Sequence, residues 1–209
     1  MCGGGDPGAG LGPGAGSGGR GRSPRHRHYV LLVWLWMLHW GATEAERRQP
    51  LPGNEIAPRP GAGPTRAVTV EAPPEAVWPW VAQLGQDRAG FNSYEWLENL
   101  AGCEMENADR VHPEWQSWEV GETLPLHPAT GVEVARFDPG EALVMDGWGA
   151  IVLERQGART RLIARGHAPA GLLACLYPVG LEIPHVIMER RMLLGIKQPA
   201  EARVSGRHA

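Results

Sequence analysis

Apolar and polar residues alternate along the last two thirds of the chain in patterns that predict short, well-separated elements. Residues 66–71 alternate with a two-residue period, which predicts a half-buried strand. The next apolar residues recur at helical spacing and predict an amphipathic helix that starts at Pro73 and Pro74 and is closed by Gly85. Its apolar face consists of Val77, Trp80, Val81 and Leu84. Pro79 predicts either a kink in this helix or its confinement to a short first turn.

A second short helix is predicted over residues 94–100, with Ser93 as its N-cap. Residues 107–116 are expected to form an ordered loop. Five more segments predict strands separated by turn-forming residues. They cover residues 119–127, 132–137, 142–145, 148–155 and 160–167. Asp146-Gly147 stands between two apolar runs and is a strong hairpin signal, so these strands should run antiparallel.

The last predicted element is one long helix over residues 183–197. Its apolar positions recur at helical spacing, and Glu189, Arg190 and Arg191 fall on its polar side. Together the elements predict an α+β fold: a curved antiparallel sheet of about six strands wrapped on a long C-terminal helix, with two short helices after the first strand. Such a sheet buries its concave face against the helix, and the arrangement readily leaves a ligand cavity between them.

The first third of the chain differs in composition from the rest. Residues 1–64 hold 15 Gly and 8 Pro, a density about twice that of the remainder. Residues 1–28 form a Gly- and Arg-rich tail that buries too little surface to become ordered. Residues 43–64 are polar and Pro-rich and are expected to form a linker or a strap. The folded domain is therefore expected at residues 65–201, followed by a short tail over residues 202–209.

Residues 29–42 form a short segment that is apolar except for His39. As a helix the segment would span roughly 21 Å, less than a hydrocarbon core of about 30 Å. Its three Trp residues and the Arg cluster before it are nevertheless typical of a membrane interface. We expect membrane association through this segment, as an anchor, a transmembrane helix or an interfacial helix. The alternatives are an apolar lead-in packed on the domain of a cytoplasmic protein and a cleaved signal peptide.

Charge and cysteine content exclude several classes of function. The first 64 residues carry seven Arg and four acidic residues, whereas the remainder carries 13 basic and 19 acidic residues. A mildly acidic domain lacks the basic face that a nucleic-acid binder needs, so no nucleic-acid partner is expected. Cys2, Cys103 and Cys175 are too few and too scattered for a disulfide framework or a zinc site.

Several stretches resemble the START-like, or SRPBCC, superfamily, in the branch near the polyketide cyclases and dehydratases. They are RAVTVEAPPEAVWPWVAQLGQDRAGFNSYEWLENL from residue 66, HPEWQ from residue 112 with GETLPLH after it, TRLIAR from residue 160 and VIMERRMLLGIKQPAE from residue 186. The lead-in WGATEAERRQPLPGNE is similar to the segment that often precedes this domain in bacterial members. The resemblance covers about residues 40 to 201. It implies a helix-grip fold with a deep apolar cavity for a small ligand.

The sequence departs from that branch at two places. Phe91-Asn92 stands where an aromatic pair is more usual, and Gln198-Pro199 stands where basic residues are expected. We expect the first change to alter one wall of the pocket. The second is expected to fall outside the pocket.

No catalytic machinery stands out in the sequence. There is no GxSxG motif, and Cys103 and Cys175 have no local base. An acidic loop is interpreted as solvated, because its spacing fits no hard-metal site. Its members are Glu104, Glu106, Asp109, His112 and Glu114. A weaker hypothesis places Asp109, Arg110 and His112 at the cavity mouth as general acid or base groups. We therefore expect no catalytic residue, no metal and no cofactor.

The residues expected to contact a ligand are large apolar side chains, because aromatic residues and methionine adapt well to apolar molecules. The candidates are Trp80, Tyr94, Trp115, Trp148, Ile187, Met188 and Met192. Three functions remain open. The first is binding of a small hydrophobic molecule, lipid- or polyketide-like, between the sheet and the C-terminal helix. The second is a cyclase- or dehydratase-like enzyme with an acid/base pair in the same cavity. The third is an interaction protein with a collapsed cavity.

Overall fold

The computed structural model describes residues 32–59, 63–94, 99, 102, 106–167 and 182–206. Its centre is one antiparallel sheet of six strands in the order β1-β6-β5-β4-β3-β2. The strands are β1 (Thr65–Val70), β2 (Thr123–His127), β3 (Thr130–Asp138), β4 (Ala142–Met145), β5 (Gly149–Gln156) and β6 (Arg159–Gly166). All six predicted strands are confirmed, and the hairpin predicted at Asp146-Gly147 joins β4 to β5.

Helices cover parts of both faces of this sheet. They are α1 (residues 32–38), α2 (Glu44–Arg48), α3 (Pro74–Ala82) and α4 (Glu182–Val204), with a 3-10 turn at Pro113–Trp115. α3 continues beyond Pro79, so the prediction that this proline confines the helix to its first turn is wrong. α4 runs past its predicted end, although Pro199 lacks the N–H that would bond to the carbonyl of Gly195. The short helix predicted over residues 94–100 lies mostly outside the described residues.

One face of the sheet packs against α3 and α4 and forms the larger core. Strand residues such as Leu143 and Ile151 point to this face, where they join Val77 of α3 and Leu193 and Ile196 of α4. Leu193 and Ile196 are fully buried. Burial of one such side chain contributes roughly 1.5–3 kcal/mol, so this stretch of α4 packs firmly on the core. The curved sheet with its long C-terminal helix is the predicted helix-grip, α+β arrangement.

The opposite face of the sheet is covered by residues 42–56, which we call the strap. Leu51 of the strap packs on the strand residues whose side chains point to this face, which include Val144, Val152 and Ile163. Because both faces are covered, β4 is buried at all four positions and β6 at all but the first. The described part of the predicted linker therefore lies against the sheet.

Polar contacts anchor the strap to β6. Arg161 Nε donates to Glu46 Oε1 at 2.6 Å, and Arg165 Nη1 donates to the carbonyl of Gln49 at 2.8 Å. The hydrogen bonds from Arg161 lower the pKa of Glu46 to about 2, against an opposing effect of burial. Thr43 and Glu46 also form a reciprocal capping box at the start of α2. The strap is thus held by charge as well as by apolar packing.

The chain after α1 is docked on the edge of the sheet. The N–H of Ala67 in β1 donates to the carbonyl of Trp40 at 3.1 Å. Gly41, with a φ of 71°, approaches so closely that a Cβ there would collide with the carbonyl oxygen of Ala67. Only glycine fits at this position. The contact covers an edge strand that would otherwise expose unpaired backbone groups.

α1 itself presents apolar side chains to solvent. Leu32 is 66% exposed and Trp36 is 59% exposed. Within the part of the chain that the structure describes, no helix has the length and apolar character needed to cross a bilayer. The described residues therefore do not support the transmembrane helix predicted within residues 29–42.

Candidate functional site

A groove of about 410 Å³ lies between α3, the loop that follows it and α4. We call it the α3–α4 groove. Its volume falls within the range of small-molecule sites, about 300–1,000 Å³. α3 contributes Trp80, and residues 92–93 and 107–109 form one wall. The opposite wall is one face of α4, formed by Arg191, Gly195, Gln198, Pro199 and Ala202.

The α3–α4 groove differs in place from the cavity predicted between the sheet and the C-terminal helix. Leu193 and Ile196 of α4 are packed in the core against the sheet, whereas the groove lies along a neighbouring face of the helix. Gln198 and Pro199 line this groove, and their expected place outside the cavity between the sheet and the helix stays a prediction. Asn92 lines it too. Asn92, Gln198 and Pro199 therefore meet at this groove.

Close contacts fix the loop wall against α4. A Cβ on Gly195 would lie 2.3 Å from the carbonyl oxygen of Asn92, so only glycine permits this approach. Asn92 has a left-handed backbone with a φ of 52°, which asparagine tolerates better than most residues. Ser93 Oγ donates to the carbonyl of Met188 at 3.2 Å, and Asn107 Nδ2 donates to the carbonyl of Ser93 at 3.0 Å. The loop wall is therefore fixed against the α4 wall.

Two side chains of the groove lining carry a buried donor that has no hydrogen-bond partner among the described residues: Trp80 Nε1 and Asn92 Nδ2. Trp80 is 5% exposed and Asn92 is 8% exposed. Buried polar groups are nearly always paired, since leaving one unpaired costs about 1–3 kcal/mol. Arg191 adds a positive charge to the same lining, with its guanidinium 5.7 Å from the ring centroid of Tyr94. The groove thus offers donors and a cation.

A second groove, of about 590 Å³, shares residues 107–109 with the first and also includes Trp115 and His112 in its lining. The His112 and Trp115 rings stack with centroids 4.1 Å apart, and His112 Nδ1 lies 3.1 Å from Glu114 Oε1. Gln83, the C-cap residue of α3, holds this loop in place. Its amide nitrogen donates to the carbonyl of Arg110 at 3.2 Å, and its amide oxygen accepts from the His112 N–H at 3.0 Å.

The acidic loop does not assemble into a metal centre in the described part of the chain. No group of three or more His, Cys, Asp and Glu side chains there is placed to hold an ion. Glu104, Cys103 and Cys175 lie outside the described residues, so the expected lack of a metal or nucleophile stays a prediction. Asp109 and Arg110 are exposed. Asp109 and Arg110 therefore do not form a buried pair that would support the general acid/base hypothesis.

Three of the seven predicted ligand residues lie at the two grooves. Trp80 lines the α3–α4 groove, and Tyr94 borders it through its contact with Arg191. Trp115 lines the second groove. Because the two grooves share residues 107–109, Trp80 and Trp115 lie in adjoining linings.

The other four predicted ligand residues lie elsewhere. Met192 is 4% exposed and belongs to the core between α4 and the sheet. Trp148 meets His185 of α4 edge to face, with ring centroids 6.1 Å apart. Ile187 is 45% exposed, and Met188 is half-buried one residue further along α4. None of the three grooves in the described part of the chain contains all seven residues, so this set stays a prediction.

A buried ion pair between β1 and α4 was not predicted from the sequence. Arg66 is fully buried and pairs with Glu189, and Arg66 Nε donates to the carbonyl of Met37 at 3.0 Å. His185 Nε2 lies 3.8 Å from the same carboxylate. The placement of Glu189 on the polar side of the last helix is therefore wrong. The two-residue period of β1 was a usable signal, since it puts Arg66 on the same face as the buried Val70.

A third groove, of about 610 Å³, lies between the strap, the start of α3 and the β3–β4 turn. Glu75 and Arg155, which form an exposed ion pair, contribute to its lining. No buried side-chain nitrogen or oxygen of its described lining lacks a partner. This groove therefore carries no sign of a missing polar ligand.

Comparisons with known proteins give two similar structures. No family model matches the chain, and no curated protein matches it. The solution NMR structure of the Polyketide_cyc-like protein Cgl2372 from Corynebacterium glutamicum is 18% identical over 69% of this chain and 94% of that one, with a TM-score of 0.36. The crystal structure of CalU16 from Micromonospora echinospora is 14% identical over 77% of this chain and 94% of that one, with a TM-score of 0.28.

Proposed function

We propose that this protein binds a small, largely hydrophobic molecule, of lipid or polyketide type, in the α3–α4 groove. The observation that carries the proposal is a groove of ligand size whose walls are fixed by specific contacts. Gly195 lets the loop approach the helix, and Ser93 and Asn107 tie the loop in place. A preformed site of this kind loses little conformational freedom on binding.

The groove walls suit an apolar body. Trp80, Ala108, Pro199 and Ala202 contribute apolar surface from both helices and the loop. A ligand that covers such surface gains about 25 cal/mol for each Å² removed from water. The polar side chains of the same lining would fix its orientation, which is their usual role in small-molecule sites.

The test is to fill the groove and measure uptake of the neutral fluorescent dye Nile red by the full chain. Ala202 lines the groove on α4, so Ala202→Trp places an indole inside it. Val204 stands two residues later on the same helix, is 55% exposed and does not line the groove. We expect Ala202→Trp to abolish most of the dye signal and Val204→Trp to leave it unchanged, with equal helix content by circular dichroism.

Two results would count against this function. Dye uptake that survives Ala202→Trp would place the apolar site elsewhere in the molecule. A wild-type chain that takes up no dye and carries no small molecule in native mass spectrometry would favour the interaction protein with a collapsed cavity.

The cyclase-like alternative requires a proton-transferring group at the bound ligand. Asp109 is the carboxylate among the described groove residues, and it is exposed. A general acid or base needs a positioned group with its pKa near the working pH, which enzymes obtain by burial and close neighbours. We therefore propose binding without assigning a reaction.

A second candidate function is contact with an anionic membrane surface through α1. Its large exposed side chains lie on one side of the helix: Leu32, Val33, Leu35 and Trp36. Four Arg residues precede it between positions 20 and 27. An apolar helix face with Trp, next to basic residues, is typical of helices that lie in the headgroup region of a bilayer. We propose that α1 lies in this region while the sheet remains outside it.

A further inference from the structure

We infer that the α3–α4 groove recognises a carboxylate on its ligand, held by Trp80 Nε1, Asn92 Nδ2 and the guanidinium of Arg191. The inference rests on the proposed function, since it names the polar end of the molecule that the same groove would bind. It assigns the groove to hydrophobic carboxylic acids as a chemical class.

The hydrogen-bonding character of the groove supports an acceptor ligand. Trp80 Nε1 can only donate, and the amide nitrogen of Asn92 can only donate. Both are buried in the lining and have no partner among the described residues. A ligand oxygen that accepts from them would satisfy both groups at once, whereas a ligand donor would leave them unpaired. The two orphan groups therefore select for oxygen acceptors.

The charge of Arg191 favours an anionic acceptor over a neutral one. Hydrogen bonds that involve a charged group are about twice as strong as neutral ones, and a guanidinium matches the planar geometry of a carboxylate. Asp109 is the opposing charge in the same lining, and it is exposed at the side shared with the second groove. Water weakens its repulsion of an anion inside the groove. The half-buried Arg191 therefore determines that the groove prefers a negatively charged ligand.

The donor on Asn92 is held in place before any ligand binds. Its left-handed backbone and the close approach of Gly195 leave the residue little freedom. Backbone conformations of this kind persist only where the surroundings impose them, and they are frequent at binding sites. A donor fixed in this way loses little entropy when it meets an acceptor.

The experiment measures binding of three probes with the same ten-carbon chain length to the full-length protein by calorimetry: decanoate, 2-decanone and decylammonium. We expect decanoate to bind at least about ten-fold more tightly than decylammonium, and more tightly than 2-decanone. Trp80→Phe keeps the aromatic volume but removes the N–H donor, and we expect it to weaken decanoate binding about five-fold or more. Circular dichroism should show the same helix content for Trp80→Phe as for the wild type.

A second variant guards against misfolding as an explanation. Asn92→Asp has nearly the same shape, and aspartate also tolerates a left-handed backbone. It replaces a donor by a carboxylate oxygen, so it should shift the preference of the groove away from decanoate and towards decylammonium. A gain in binding cannot arise from loss of structure.

The outcomes separate the two proposals. Equal affinity for decanoate and decylammonium, each displacing Nile red, would overturn the carboxylate assignment and leave the binding function intact. Equal affinity for decanoate and 2-decanone would overturn the part assigned to Arg191. Decanoate binding that neither variant alters would place the carboxylate elsewhere and overturn the inference. No binding of decanoate and no uptake of Nile red would overturn both proposals.

Discussion

Two arginines occupy strand positions where apolar side chains ordinarily pack. Arg66 faces α4 and pairs with Glu189, and Arg161 faces the strap and pairs with Glu46. Each pair joins the sheet to a segment that covers one of its faces. A buried charge without its partner is strongly destabilising. An arrangement in which the strap or the helix docks in a different register would therefore be less stable. We infer that the two pairs help to select the observed arrangement.

The Arg66 pair leads to a stability prediction. Arg66→Met leaves the Glu189 carboxylate buried without its partner, so we expect the free energy of unfolding in urea to fall by about 3–5 kcal/mol. The double variant Arg66→Met/Glu189→Leu removes both charges and should recover most of this loss. A single variant as stable as the wild type would show that the pair is not the constraint we infer.

The Glu46 pair leads to a prediction about pH. The pKa of Glu46 is lowered from 4.5 to about 2 by its hydrogen bonds from Arg161. The contribution of the ionised Glu46 to the free energy of unfolding is therefore complete above pH 4.5 and is lost as the pH falls towards 2. This contribution is on the order of 3 kcal/mol. We expect Glu46→Gln to be less stable than the wild type at pH 6 and nearly equal to it at pH 2. A stability gap that does not change with pH between 6 and 2 would contradict this account.

At the scale of elements, α4 uses different faces for different contacts. Leu193 and Ile196 pack in the core, and Lys197 Nζ donates to the carbonyl of Thr69 in β1 at 2.6 Å. Gly195 and Arg191 line the groove. Apolar residues at helical spacing predicted the burial of Met192 and Ile196, whereas Ile187 of the same spacing is 45% exposed. The groove face could not be predicted in this way, since it depends on a loop about a hundred residues earlier in the chain.

α1 is the element whose role is most open to a direct test. We expect the full chain to sediment with vesicles of phosphatidylglycerol and much less with vesicles of phosphatidylcholine, because the preceding arginines favour an anionic surface. Trp36→Ser removes an exposed apolar side chain of α1 and should weaken this binding about ten-fold.

Val120→Ser provides the matched control for α1, since Val120 is 69% exposed in the loop before β2 and far from α1 in sequence. This variant should bind vesicles like the wild type. Equal binding by Trp36→Ser, or equal binding to both kinds of vesicle, would reject the membrane contact.

At the scale of the molecule, the strands and their antiparallel order were predictable because short apolar segments alternated with clear turn residues. The docking of the strap was not, since a polar, Pro-rich segment has no periodicity to reveal which surface it covers. The apolar runs of β4 and β5 did contain a hint, because strands covered on both faces lose their polar alternation. Met192 was predicted to contact a ligand but lies in the core. The sequence could not distinguish the two places, because an apolar side chain suits a core and a pocket equally well.

The measurement that tests the central claim most directly is a titration of the ¹⁵N-labelled full chain with decanoate, observed at the indole N–H signals of its nine Trp residues. The Trp80 signal is identified by its loss in Trp80→Phe. Trp118 serves as an internal reference, because its Nε1 already donates to the carbonyl of Ala82 at 2.8 Å. We predict that the Trp80 signal shifts in a saturable manner while the Trp118 signal stays in place. A Trp80 signal that does not move while decanoate binds would contradict a ligand site in the α3–α4 groove.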